Sequence, residues 1–150
     1  MSPNDDAARM MAEIQAANAE LARRAVAPGW YHAALGLLMG GLIAVQGAPV
    51  PAIFGYYLVF GLGCWLLFQA YRRRTGMWIN GYRAGRTRWV AIGLAVLFGL
   101  IMVSSVHLLR ERGLIWAPWA GGAIAAVVVT LGGYVWEAAF RRDLRDGGSL

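Results

Sequence analysis

Apolar positions fall first into a spaced series and then into four unbroken runs. Met10, Ile14, Ala17, Leu21 and Ala25 recur at helical spacing among polar residues, which predicts an amphipathic helix ending near Pro28. Pro3 suits the first helical position, and Asp5 and Asp6 stand where the positive end of a helix dipole favours acids. The four runs lie at about 29–47, 51–71, 89–109 and 114–140. Each is close to the roughly 20 residues that a helix needs to cross the hydrocarbon core of a bilayer. Trp30 with Tyr31, Tyr71, Trp89, and Trp116 with Trp119 mark their ends, where amphipathic rings prefer the headgroup region.

The joins decide how the runs are arranged. Ala48-Pro49-Val50 and Arg110-Glu111-Arg112-Gly113 are short, so the first and second spans are antiparallel neighbours, as are the third and fourth. The middle connection, 72–88, is long. The predicted fold class is therefore all-α: a polytopic membrane protein built as a four-transmembrane-helix antiparallel bundle. An N-terminal cytoplasmic amphipathic helix over 1–27 precedes the transmembrane domain, 28–142, and a short polar tail, 143–150, follows it. The amphipathic helix carries Glu13 and Glu20 beside its arginines, so packing on protein is expected over adhesion to anionic lipid. Its own bundle, a second copy and another protein all remain open as the surface it meets.

Composition supports a lipid environment, since 59% of the 150 residues are apolar and the mean hydropathy is +0.49. All 14 basic residues are arginine, and with the many Ala and Gly this codon usage points to a GC-rich bacterial genome. Four crossings put the N-terminal segment, the long loop and the tail on one side, with twelve arginines, against Arg110 and Arg112 on the other. The arginine-rich side is then cytoplasmic, and the expected location is the inner (plasma) membrane, crossed several times with both termini in the cytoplasm. The net charge of +6 is accounted for by orientation and by anionic headgroups, so no nucleic-acid partner is expected. Residues 1–24 are polar and mixed in charge, unlike a signal peptide, which leaves targeting to the first span.

Candidate chemistry is sparse. The single cysteine, Cys64, excludes an intramolecular disulfide and a cysteine metal cluster within one chain. His32 and His107 invite a haem, but His107 lies about 18 residues past Trp89, roughly 27 Å along the third helix, so the two stand at opposite ends. Ser104, Ser105 and His107 are too close on one helix to aim a hydroxyl at an imidazole, and no orienting acid accompanies them. No catalytic residue, metal site or cofactor is therefore expected.

Glu137, three residues inside the end of the fourth run, is costly in the membrane unless solvated or satisfied. It lies at the depth where His32 enters the first span and Arg72 leaves the second, and these three residues form the candidate intramembrane polar site. Either neighbour, or simple reach to the headgroups, would satisfy the acid. A second candidate surface is the loop: Arg72, Arg73, Arg74, Arg83, Arg86 and Arg88 with Trp78 and Tyr82 suit phosphate headgroups or an acidic partner. Asn80-Gly81 suits a tight turn with positive φ.

Glycines at 36, 40 and 41, 55 and 63, 93, 121 and 122, and 132 and 133 predict close helix packing, within the chain or between copies. A chain of four such helices looks like the small multidrug exporters in architecture, yet those require a carboxylate in helix 1, and the first run here contains none. The arginine-rich loop with Thr-Gly, Asn-Gly and Gly-Arg, set between two hydrophobic hairpins, resembles that of uncharacterised small four-helix integral membrane proteins of GC-rich bacteria. That resemblance implies the fold and carries no activity. The expected function is a non-enzymatic scaffold or accessory subunit, with a second copy or a larger membrane protein as partner. A transport or export component is the alternative, and a membrane enzyme acting on a lipid or isoprenoid-like substrate is the third reading.

Overall fold

The computed structural model of the protein describes residues 3–24, 27–75 and 86–145. Among them all regular structure is helical: α1 (Pro3–Arg24), α2 (Tyr31–Ala44) with a 3-10 turn at Val45–Gly47, α3 (Val50–Thr75), α4 (Arg86–Arg112) and α5 (Ala117–Arg145). Prolines and one glycine punctuate these elements. Pro49 and Pro51 open α3, where the amides of Ala52 and Ile53 bond the Pro49 carbonyl, and Pro118 lies in the first turn of α5. Gly113, at φ 62°, ends α4 in a left-handed conformation that costs a glycine little, and the Leu114 amide reaches back to the Leu108 carbonyl. The fourth apolar run thus begins as a turn, with the helix starting at Ala117 and continuing into the polar tail as far as Arg145.

Three helices are long and apolar enough to cross a membrane, at Val50–Arg74, Thr87–Arg112 and Ala117–Arg142, and Tyr31–Gly47 is a shorter apolar helix. Their outer faces are consistent with the environment that composition implies. Leu37, Leu58, Leu100 and Val103 are each at least 60% exposed, an arrangement that water would penalise and lipid does not.

The four apolar helices lie side by side in the order α3, α2, α5, α4. Facing residues fix the directions. Gly36 meets Ala126 and Thr130 while Gly40 meets Gly122, so α2 and α5 are antiparallel, as are α2 with α3 (Leu38 on Gly63, Tyr56 on Gly41) and α4 with α5 (Leu94 on Gly132, Ser105 on Gly121). The start of α2, the end of α3, the start of α4 and the end of α5 consequently share one end of the molecule. Both neighbour pairs read from the short joins are present.

The tightest seam is α2 against α5, and backbone makes it. A Cβ added at Gly122 would stand 2.6 Å from the Gly40 carbonyl oxygen, and the converse is also a clash. Close approach of two backbones is the way apolar helices gain contact when lipid is as apolar as their side chains. Tyr56 ties α3 to α2 by donating its hydroxyl hydrogen to the Leu38 carbonyl at 2.7 Å.

α1 has its main contact with α5, but the apolar face expected to dock stays uncovered over its first four turns. Met10, Met11 and Ile14 are 59%, 60% and 54% exposed. Ala25 lies outside the described residues, as do Trp78, Asn80, Gly81, Tyr82 and Arg83 of the long connection.

Candidate functional site

Where the start of α2 meets the last turns of α5, an imidazole and a carboxylate are buried together. The Nε2–H of His32 donates to Oε2 of Glu137 across 2.8 Å, with side chains 7% and 10% exposed. Each element contributes for a local reason. His32 is the second residue of α2 and shares a face with Gly36, Gly40 and Ile43, the stripe turned toward α5. Glu137 stands two turns before the end of α5, on the side that meets α2. Between them Gly133 leaves space for the ring, since a side chain at 133 would overlap His32 Nδ1.

Aromatic neighbours fix the imidazole. Tyr134 meets its ring edge-on at 4.7 Å between centroids and Tyr31 does so at 5.6 Å, while Tyr71 packs on Tyr31 at 5.6 Å. The Tyr134 hydroxyl donates to the Gly29 carbonyl at 2.8 Å, pinning the segment that leads into α2. Thr130, one turn deeper, donates to the Ala126 carbonyl at 2.7 Å. No described side-chain polar atom that is fully buried lacks a hydrogen-bond partner.

The pair borders a cavity of about 600 Å³. All four apolar helices line it over about two turns each, roughly 12 Å of depth: Tyr31 to Met39 of α2, Cys64 to Tyr71 of α3, Ala91 to Phe98 of α4 and Val129 to Glu137 of α5. The helix order explains why it exists. α3 is held by α2 and α4 by α5, so α3 and α4 face each other across a gap with no packed seam between them. Leu35, Leu67, Leu94 and Phe98 make the floor and walls apolar, and the polar groups concentrate at the end where Tyr31, His32, Tyr71 and Glu137 meet. The space can hold a molecule that is mostly hydrocarbon and carries few polar atoms, within the roughly 300–1,000 Å³ of small-molecule sites.

The three residues proposed as a polar site are only partly brought together. His32 and Glu137 pair, whereas Arg72 is exposed, with its guanidinium carbon 5.7 Å from the centre of the Phe68 ring. A long flexible arginine at a helix end finds its place outward, and the shorter histidine, fixed by Gly133 and two tyrosines, takes the acid. Arg73 and Arg74 are exposed on the last turn of α3, Arg88 lies over Trp89 at 5.8 Å, and Arg86 opens α4.

The other candidates fall apart in space. Ser105 donates to the Ile101 carbonyl at 2.7 Å and packs on Gly121, and His107 is exposed near the far end of α4. Ser104 and Ser105 border a shallower recess of about 310 Å³ between α4 and α5, without His107. Among the described residues no group of three metal-ligating side chains occurs. The cavity itself escaped sequence reading. Its signal was the set of aromatics Tyr31, Phe68, Tyr71, Phe98 and Trp136, spread over four helices, which only the helix order brings to one space. The chain matches no protein-family model, no curated protein and no solved structure.

Proposed function

We propose that the protein is a non-enzymatic accessory subunit of the inner membrane that holds a lipophilic molecule in the cavity between α3 and α4. It crosses the bilayer four times with both termini in the cytoplasm. The observation that carries the reading is the buried His32–Glu137 pair set at the polar end of an otherwise apolar space of about 600 Å³. An ionisable pair is expensive among hydrocarbon and is placed there where it orients something. His32 and Glu137 both line the space, so the pair offers hydrogen bonding to a molecule bound there. Support for four crossings comes from Tyr31–Gly47, whose 17 residues match the short limit of about 17 for a spanning helix and which packs along α5 over that length. The twelve-to-two arginine distribution supports the orientation. The exposed Met10, Met11 and Ile14 on α1 support assembly with a second copy or a larger membrane protein. A transport role is the second reading, favoured by the missing seam between α3 and α4, which gives the cavity a side entrance from the bilayer.

The test is solvent extraction of the purified protein followed by mass spectrometry of small molecules, for the parent and for Ala91→Trp, which fills the cavity from α4. A lipophilic species stoichiometric with the parent and absent from the variant is expected. The same species at the same amount in both would overturn the reading.

A further inference from the structure

The arginines at the rim and the apolar space below them together specify a ligand. The end of the cavity at which Tyr31 and Tyr71 stand is also the end at which α3 finishes and α4 starts. On the α3 wall Arg72, Arg73 and Arg74 are exposed, and Arg72 lies over the ring of Phe68, itself a cavity wall. On the α4 wall Arg88 is exposed, one turn before the lining residue Ala91. Yet among the described residues the lining contains no arginine, and its one carboxylate, Glu137, is on the α5 wall and held by His32. The arrangement is cationic at the rim on two walls and hydrocarbon for roughly 12 Å beneath.

We infer that the cavity takes one acyl chain of an anionic phospholipid, whose phosphate is gripped by Arg72 and its neighbours on α3 together with Arg88 on α4. The inference rests on the ligand-holding reading of the cavity and names its occupant. Each part of such a lipid has its counterpart. The guanidinium presents paired N–H donors that match phosphate oxygens, and its charge selects a lipid with net negative charge over a zwitterion. The chain finds Leu67, Leu94, Phe98 and Val129, and below the rim pair the lining side chains are apolar apart from the weakly polar thiol of Cys64. The gap between α3 and α4 lets the chain enter sideways from the bilayer, with the headgroup remaining at the interface. A free phosphate would gain the rim alone and would leave the apolar space unfilled.

The experiment uses the full chain in mild detergent with an equimolar mixture of phosphatidylglycerol and phosphatidylcholine of the same acyl chains, read by native mass spectrometry. The parent should retain one phosphatidylglycerol per chain, at least about tenfold over phosphatidylcholine. Arg72→Gln with Arg88→Gln should abolish the preference, and Ala91→Trp should lose the bound lipid. Ala95→Phe, one turn deeper, guards against a misfolded Ala91→Trp and should behave alike. Excess glycerol 3-phosphate should compete poorly. Equal retention of both lipids by the parent, with both lost from Ala91→Trp and Ala95→Phe, would overturn the headgroup assignment and leave the ligand-holding cavity standing. Retention of phosphatidylglycerol by both cavity variants, or its displacement by glycerol 3-phosphate, would overturn the chain assignment. If neither cavity variant changes either lipid, the cavity reading falls as well.

Discussion

Gly122→Ala adds one methyl group at the α2–α5 seam, where backbone stands in its way. Its carbon would lie 2.6 Å from the Gly40 carbonyl oxygen, 2.9 Å from the Ala44 Cβ and 3.2 Å from the Ala44 amide nitrogen. Ordinary contact begins near 3.4 Å, so α2 and α5 must part by about 0.8 Å, and backbone oxygen cannot step aside as a side chain can. Overpacking of this kind costs about 1–3 kcal/mol. Alanine returns at most about 1 kcal/mol over glycine through helix propensity, so a net loss of about 1–2 kcal/mol is expected. Gly61→Ala is the control, because nothing lies within 4 Å of its added carbon. Thermal unfolding in detergent, followed by loss of the monodisperse peak in size-exclusion chromatography, should show Gly122→Ala melting below the parent and Gly61→Ala at or above it. An unchanged midpoint for Gly122→Ala, or an equal loss in Gly61→Ala, would refute the backbone seam.

Three further outcomes follow from the same arrangement. Glu137→Ala strands His32 and should lower stability by about 2–4 kcal/mol, Glu137→Gln by less because it still accepts a hydrogen bond, and His32→Ala added to Glu137→Ala should cost little more; additive losses would mean the two groups do not act as a pair. Cysteines introduced at 49 and at 150 in a Cys64→Ser background should label from outside intact cells at 49 alone, and labelling at 150 alone would reverse the orientation. Removing residues 2–24 should leave membrane integration intact while changing assembly size or partner retention, since the four apolar helices pack on one another and α1 leaves Met10, Met11 and Ile14 exposed; loss of integration alone would contradict this.

Much of the fold was legible because lipid imposes few solutions on a chain. Backbone groups in hydrocarbon must be satisfied within the segment, so the runs had to be helices, and short joins had to make neighbours of the helices they connect. The run at 114–140 was read too early at its start because Leu114 and Ile115 are apolar, while Gly113 and Pro118 delay the helix to Ala117. Glycine spacing announced close packing without naming the partner, since Gly40 on Gly122 is a contact between residues 82 apart that no local pattern encodes. The pairing of His32 with Glu137 was legible as depth, both standing near the arginine-rich end. The choice of histidine over Arg72 was not, because it depends on Gly133 and Tyr134 facing the imidazole. The exposed face of α1 was also unreadable, as an amphipathic pattern states that a face is apolar and not what covers it.

The single cysteine reports, without engineering, on the proposed open, ligand-accessible space between α3 and α4. Cys64 lines the cavity on α3 and is partly exposed. The measurement is the rate at which a small, membrane-permeant maleimide alkylates Cys64 in the folded protein, compared between the parent and Ala91→Trp, with circular dichroism confirming the same helix content. Cys64 should react in the parent and Ala91→Trp should slow it several-fold, with delipidated protein reacting faster than protein replenished with phosphatidylglycerol. Equal rates in parent and variant, unaffected by lipid, would contradict it and leave the gap between α3 and α4 without a role.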